Sequence, residues 1–391
     1  MSAVHNRIEH RRTEGLTRIA RALCTAAIAS TPAIAQDCLP WEVRSHSGPS
    51  RRSGHAMAYD PARAEVVLFG GFDGTYNGET WIWDGQTWTR RAHTGPSGRS
   101  DHAMTYDAAR AEIVLFGGYD GQPDRETWVW DGSAWELRSQ TGPSPRYEHA
   151  MAYDAVRGEV ILFGGWVGQE YSTETWAWDG TSWERRAQFG PSQGGGHALT
   201  YDAARGEIIL FGGVDEFFNP RDDTWAWDGA TWNLRSETGP SQRHDHAMAY
   251  DGLRGEVILF GGRHGMPNSE TWAWNGTMWS LRSQWGPSAR IDHAMAFDEA
   301  RGEGVLSGAG TGVANETWVW RGGACYPDCD GSCVVNTTDV ICFLNKWVAA
   351  GGGQCPGCYA DCNGDGAVNT ADVICFLNHW VGASNNSGQC F

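Results

Sequence analysis

The sequence predicts a mainly β chain: six four-stranded sheets standing around a common axis, followed by a small helical domain. Three observations predict it. One sequence block recurs six times at nearly constant spacing, every copy carries strand-like patterning, and the composition changes abruptly after residue 321, where cysteines crowd.

The recurring block is most visible in its tryptophans. ETWIWDGQTW begins at Glu79, ETWVWDGSAW at Glu126, ETWAWDGTSW at Glu174, DTWAWDGATW at Asp223 and ETWAWNGTMW at Glu270, and a truncated ETWVW begins at Glu316. Between copies lies a second constant stretch: GPS, an arginine, HAMAYD, a turn, then EVILFGG. Phe69, Phe116, Phe163, Phe211 and Phe260 mark it at intervals of 47, 47, 48 and 49 residues. A side chain present in every copy serves what every copy needs, which is packing; a buried Trp removes roughly 150–250 Å² from water.

Each copy reads as four strands. HAMAYD places His, Met and Tyr on one face and two small alanines on the other, as suits a strand crowded against its equivalents around an axis. EVILF is apolar on both faces, the pattern of a strand covered on both sides, and Gly-Gly ends it. TWAW puts two tryptophans on one face; Asp-Gly then turns the chain, and a third Trp opens the last strand. Segments such as Asp154–Glu159 join the first strand to the second. Sheets covered on both faces need neighbours on both sides, and radial stacking supplies them.

The phase of the repeat predicts how the ring closes. The first element, Trp41-Glu-Val-Arg, matches a fourth strand, and the last, ending at Trp320, matches a third. Pairing the two completes a six-bladed β-propeller closed by an N-terminal strand and removes its exposed edges. Cys38 and Cys325 flank this junction, so a disulfide between them is expected, locking a loop of about 290 residues. The repeat over residues 41–320 resembles the kelch family, through the Gly-Gly pair that ends the second strand, the aromatic of the third strand and the Trp of the fourth strand. Blade six departs from it at Ser307-Gly308-Ala309. The resemblance implies a kelch-type propeller over 36–324 and leaves activity open, since kelch propellers include enzymes and, more often, interaction modules.

The tail, 325–391, contains two matching segments 33 residues apart. In the second, Asp361, Asn363, Asp365, Asn369 and Asp372 put oxygens at loop positions 1, 3, 5, 9 and 12, with Gly366 at the sharp turn and the Ala367 carbonyl between. This spacing wraps calcium. In the first, the ligands are Asp328, Asp330, Ser332, the Val334 carbonyl, Asn336 and Asp339, with Cys333 where glycine is wanted. A helix is expected after each loop, presenting Val340, Phe343, Leu344 and Trp347, and Val373, Phe376, Leu377 and Trp380. The paired loop–helix units resemble a cysteine-rich type I dockerin. That resemblance implies two calcium ions and a cohesin-like or cell-surface receptor, met near Thr337, Thr338, Thr370 and Ala371. A core this small is marginal without calcium or disulfides.

The first 35 residues read as a signal peptide: Arg7, Arg11, Arg12, Arg18 and Arg21 precede the apolar LCTAAIAS and the small-residue site Ala33-Ile34-Ala35. Nine of the ten cysteines left after Cys24 lie between Cys325 and Cys390, the density of a disulfide-stapled domain in an oxidising compartment, so the protein is expected to be secreted or held at the cell surface. A formal charge of −17 argues against nucleic acid, and no apolar run is long enough to span a membrane.

If repetition means structure, function is expected where repetition fails. The loops after Gly-Gly and those before the repeated histidine should open on one side of the ring. They offer Phe72, Tyr119, Tyr147, Trp166, Phe217, Phe218, His244 and Arg263 as a ligand-binding face, with Tyr76 and Tyr171 beside them. Asp73, Asp120 and Asp215 stand near these aromatics, a combination that suits a sugar ring. The histidines at 55, 102, 149, 197, 246 and 293 are expected to bond the backbone rather than a metal, since sixfold symmetry suits no common imidazole site. Arg52, Arg99, Arg146, Arg243 and Arg290 are expected to pair with acidic residues. No nucleophile–base pair, nucleophile elbow or phosphate loop is present, and the propeller has no cysteine for a copper-oxidase site. The expected function is therefore non-catalytic recognition of a protein or glycan, anchored by the tail. The alternative is a glycoside hydrolase or sialidase-like enzyme of a polysaccharide-degrading system.

Overall fold

Every segment read as a strand pairs as one in the computed structural model, which describes residues 40–322 apart from 92–93, 193 and 309–314. The signal segment, the Cys38–Cys325 pair and the two calcium loops of 325–391 lie outside the described residues. Residues Trp41–Gly322 form one compact unit, a six-bladed β-propeller of antiparallel sheets with no helix among the described residues.

Blades one to five span residues 56–90, 103–139, 150–187, 198–236 and 244–283. Blade six combines 294–320 with the N-terminal strand Trp41–Ser45, which pairs with Thr317–Trp320 so that Trp41 faces Trp320. The ring closes as the phase of the repeat requires. Blade five exceeds the four-strand expectation: its second strand runs on to His264 and folds back on Met266–Pro267.

The core is divided into six layers, each between two blades. Ala56, Ala58, Val67, Phe69 and Ile82 of blade one pack against Met104, Ile113, Leu115, Trp130 and Trp135 of blade two. Met57, on the other face of the same strand, packs towards blade six. The first strands of neighbouring blades meet around the axis, and their alanines make that approach possible.

The three tryptophans of each repeat have three positions. The second, exemplified by Trp83, Trp178 and Trp320, is no more than 1% exposed. The first is half-buried and donates its Nε1–H to the Glu two residues earlier: Trp81 to Glu79 at 3.0 Å and Trp128 to Glu126 at 2.8 Å. That Glu also accepts from the buried arginine ahead of the histidine, as in Arg52–Glu79 at 2.9 Å and Arg243–Glu270 at 2.9 Å. The expected pairing with acids is present at Arg52, Arg99, Arg146 and Arg243; Arg290 instead donates to Ser288 and to the Gly308 carbonyl. Blade four lacks the whole unit: Gly194 replaces the arginine, Asp223 replaces the Glu and pairs with Arg221, and Trp225 Nε1 has no partner.

The third tryptophan joins neighbouring blades. Its Nε1–H donates to the threonine that opens the third strand of the preceding blade: Trp135 to Thr80, Trp183 to Thr127 and Trp279 to Thr224, each at 2.8 Å, with Trp232 to Thr175 at 2.9 Å. Trp88 to Thr317 at 2.7 Å and Trp41 to Thr271 at 2.8 Å carry the same bond across the closure. Its ring sits edge-on or tilted to the preceding blade's phenylalanine at 5.0–5.2 Å, as in Trp135–Phe69 and Trp232–Phe163.

Thr80→Val keeps the volume at this junction but leaves Trp135 Nε1 a buried donor without an acceptor, which costs about 1–3 kcal/mol. The urea midpoint of the propeller is expected to fall accordingly, whereas Thr89→Val, on an exposed outer strand, changes stability by no more than about 0.5 kcal/mol.

Candidate functional site

The residue before each repeated histidine is where the six blades come closest to the axis. Gly54, Asp101, Glu148, Gly196, Asp245 and Asp292 all adopt the left-handed conformation, with φ between 53° and 64°. Each donates its N–H to the carbonyl of its counterpart in the preceding blade. The bonds run Asp101 to Gly54 at 2.7 Å, Glu148 to Asp101 at 3.0 Å, Gly196 to Glu148 at 3.3 Å, Asp245 to Gly196 at 2.8 Å, Asp292 to Asp245 at 3.1 Å and Gly54 to Asp292 at 2.9 Å. This closed belt of peptide groups requires a backbone conformation costing roughly 1–2 kcal/mol at a residue with a side chain.

The belt carries four carboxyl groups, Asp101, Glu148, Asp245 and Asp292, interrupted by Gly54 and Gly196 in blades one and four, opposite one another. With the six histidines they line an axial cavity of about 180 Å³. Ser100 Oγ donates to Asp101 at 2.7 Å and Tyr171 Oη to Glu148 at 2.8 Å. Asp245 lies 2.8 Å from His244 Nδ1 and 3.4 Å from Arg263. Burial raises the Asp101 and Glu148 carboxyls above their usual range, and their carboxylate neighbours raise them further. Asp292 is pushed up to about 8, by burial first and then by Asp245 and Asp101. Three acids that repel one another thus hold protons more tightly than a free carboxyl does.

The histidine rings, each only 5–6% exposed, form the wall. Burial, reinforced at most of them by the adjacent arginine, holds His55 and His102 down at about 3 and His149, His246 and His293 well below the usual range; burial alone holds His197 at about 4. They are neutral at physiological pH. His197 Nε2 lies 3.2 Å from the Phe163 carbonyl, matching the expected backbone bond. The carbonyls of Phe69, Phe116, Phe260 and Ser307 bear on His102, His149, His293 and His55 in the same sense, with looser geometry. The Nδ1 atoms of all six rings have no partner. The Gly-Gly pair makes this arrangement possible: a Cβ on Gly70 would lie 2.6 Å from the His102 ring. Among the described residues no group of His, Cys, Asp and Glu is arranged to hold a metal ion.

Around this mouth stand the candidate aromatics. The loops after Gly-Gly pair with the segments before the belt, Ser53 with Phe72, Ser100 with Tyr119 and Tyr147 with Trp166, so the two loop sets share one side as expected. Phe72, Tyr76, Tyr119 and Tyr147 form a chain of rings at 5.1, 5.9 and 5.2 Å. Trp166, Tyr171 and Phe218 form a second cluster at 5.0–6.1 Å. Phe217 and Phe218 are exposed, and His264 extends the rim beyond His244 and Arg263 in blade five. Asp73, Asp120 and Asp215 are hydrogen-bonded within their own and the adjoining loops. Asp73 accepts from Ser50 and Thr75, Asp120 from Ser97, and Asp215 from Asn219 and the Phe217 N–H, so they hold their own loops. The belt carboxyls were missed in sequence, although the signal was present: the position beside an unvarying histidine reads G, D, E, G, D, D.

No family model matches the chain, and no curated protein is significantly similar to it.

The two sets of buried groups respond to pH in opposite directions. A carboxyl raised in the fold binds a proton that the unfolded chain releases near pH 3.9, so its contribution is lost as pH rises towards the folded value, about 8 for Asp292. The histidines stay neutral in the fold but charge in the unfolded chain below about 6.5, so acid destabilises the protein and six sites outweigh three. Stability is therefore expected to peak near pH 6.5. Asp292→Asn, which suits the left-handed backbone, should flatten the fall on the alkaline side, raising the melting point at pH 8 by about 2 °C or more, and steepen the rise between pH 4 and 6.5, where the opposing carboxyl is gone; melting curves from pH 4 to 9 check this.

Proposed function

We propose that the protein is an exported recognition module: a kelch-type propeller whose loop face binds a glycan, carried on a dockerin-like, calcium-dependent docking tail. The observation that carries the propeller half is that departures from sixfold repetition gather at one mouth. There, two aromatic clusters flank a ring of hydrogen-bonding carboxyls. Aromatic faces stack on sugar rings while polar groups between them take the hydroxyls. Four of the repeated arginines, Arg52, Arg99, Arg146 and Arg243, which on a sialidase-like reading would meet an anionic substrate, are buried against glutamates instead. The tail half rests on the oxygen spacing of Asp361–Asp372 and its partial copy at Asp328–Asp339.

A second reading, glycoside hydrolysis, is favoured by one feature. Asp292 keeps its proton up to about pH 8 while Asp245 lies against His244 and Arg263, the contrast of environments that separates an acid from a base.

Full-length protein on a glycan array is expected to bind a subset of glycans. Trp166→Ala and Phe218→Ala should each weaken that binding by about fivefold or more, one stacking contact being worth roughly 1 kcal/mol. Turnover of a matching reporter glycoside, lost in Asp245→Asn, would transfer the conclusion to the hydrolase reading; a blank array would overturn the glycan reading. For the tail, capture of a receptor from the source cell surface should disappear with a calcium chelator and in Asp361→Ala, and capture that survives both would remove calcium from the proposal.

A further inference from the structure

The aromatics of the loop face are not spread evenly around the mouth. The position that pairs with the segment before the belt is Phe72, Tyr119 and Trp166 in blades one to three, then Val214 and Arg263 in blades four and five. The rings continue one another across blade boundaries. Tyr76 of blade one reaches Tyr119 of blade two at 5.9 Å, and Tyr119 reaches Tyr147, on the segment entering blade three, at 5.2 Å. The Trp166 N–H donates to the Tyr147 carbonyl at 2.8 Å, so the row runs on into the second cluster. That cluster crosses into blade four, where Phe218 lies 5.7 Å from Tyr171. The rings thus follow an arc from Phe72 to Phe218, over blades one to four.

Two departures in blade four belong to this arc. Gly194, Gly195 and Gly196 precede its histidine, and a Cβ on Gly195 would lie 2.1 Å from the Tyr171 ring, so glycine there makes room for that ring. Phe218 holds its side chain 60% exposed on a backbone with φ of 62°. Its turn is fixed by the N–H groups of Phe217 and Asn219, which both donate to Asp215 at 2.9 Å. An exposed aromatic on left-handed backbone gains little burial and bears strain, and such strain collects at functional sites. A single sugar needs only one or two of these rings. Ring centres 5.1–5.9 Å apart along the row from Phe72 to Tyr147 match successive units of a chain. A 1,4 linkage joins opposite ends of a pyranose, so each unit advances such a chain by about one ring spacing.

We propose that the loop face binds an inner run of a linear, 1,4-linked polysaccharide along this arc, rather than a chain end or a single sugar. This rests on the glycan reading above and names the form of the glycan. Trp166, Tyr171 and Phe218 make the subsite that is filled first, and Tyr147, Tyr119, Tyr76 and Phe72 take the units that follow.

The test is calorimetric titration of the full-length protein with oligomers of increasing length, from the monomer to the hexamer, in three series: β-1,4-linked glucose, α-1,4-linked glucose and β-1,4-linked N-acetylglucosamine. In a series that binds, affinity is expected to rise about threefold or more with each unit up to the trimer, as aromatic contacts are added one at a time. Reducing the end unit of the hexamer to its alditol should leave its affinity unchanged. Tyr76→Leu and Tyr119→Leu keep an apolar side chain but remove the ring. Each should weaken the hexamer about threefold or more while leaving the dimer unchanged, whereas Trp166→Ala weakens both. Tyr119→Phe, which keeps the ring, should bind the hexamer as the unaltered protein does, and Trp285→Ala, an exposed aromatic outside the arc, should alter neither oligomer. Affinity that does not rise with length, loss of hexamer binding on reduction, or a Tyr119→Leu variant that binds the hexamer undiminished overturns the arc and leaves the glycan reading standing. Failure of all three series beside a positive glycan array does the same. Failure of the array as well removes the glycan reading and the arc together.

Discussion

The fold depends on the contact between the third tryptophan of each repeat and the blade before it. Burying an indole is worth several kcal/mol as an upper bound, but apolar area alone sets no register. The Nε1–H bond to the buried threonine does, because only one alignment of adjacent blades brings that donor to that acceptor. Six such contacts, two of them across the junction of Trp41–Ser45 with Thr317–Trp320, make the ring a closed circuit with no exposed sheet edge at its ends.

Closure at the outer strands positions the inner ones. With the blades held in register, the six residues at the axis are close enough to bond one another, and the belt of peptide groups follows. The belt then places side chains where isolated chemistry would not: carboxyls near one another, and imidazoles in a wall from which burial excludes charge. Glycine at two of the six positions relieves both backbone strain and crowding, for a Cβ at Gly54 would meet the Asp101 carboxylate at 2.3 Å. The strain kept at the other four is stored at the candidate site, as is common where backbone conformation serves function.

Blades four and six show how the repeat tolerates loss. In blade four the arginine, the glutamate and the indole bond are missing together, as expected of groups that satisfy one another. In blade six Ser307 stands where the other blades have phenylalanine. Trp88 there keeps its bond to Thr317 and packs among Ala294, Ala296, Val305 and Val319. The hydrogen bond is common to all six junctions and the aromatic contact is not, so the bond is the more general determinant of register.

The blades, their number and the way the ring closes were legible in the sequence, because repetition at constant spacing turns one weak strand signal into six concordant ones, and the truncated last copy identifies its missing partner. The buried arginine–glutamate pairs and the side on which Phe72, Tyr119 and Trp166 lie were legible for the same reason. The belt was not. Asp101, Glu148, Asp245 and Asp292 are about 45 or more residues apart in sequence, and singly each is an ordinary acid beside a histidine. Their mutual repulsion, the raised pKa values of Asp101, Glu148 and Asp292, and the cavity the four share exist only once closure has brought six distant backbones to one axis. Asp73, Asp120 and Asp215 make a related point: the sequence places them beside the aromatics, and only the structure shows the loop bonds they accept, as short polar side chains near local donors commonly do. Local chemistry determined the wedges; the electrostatics of the axis is a property of the ring.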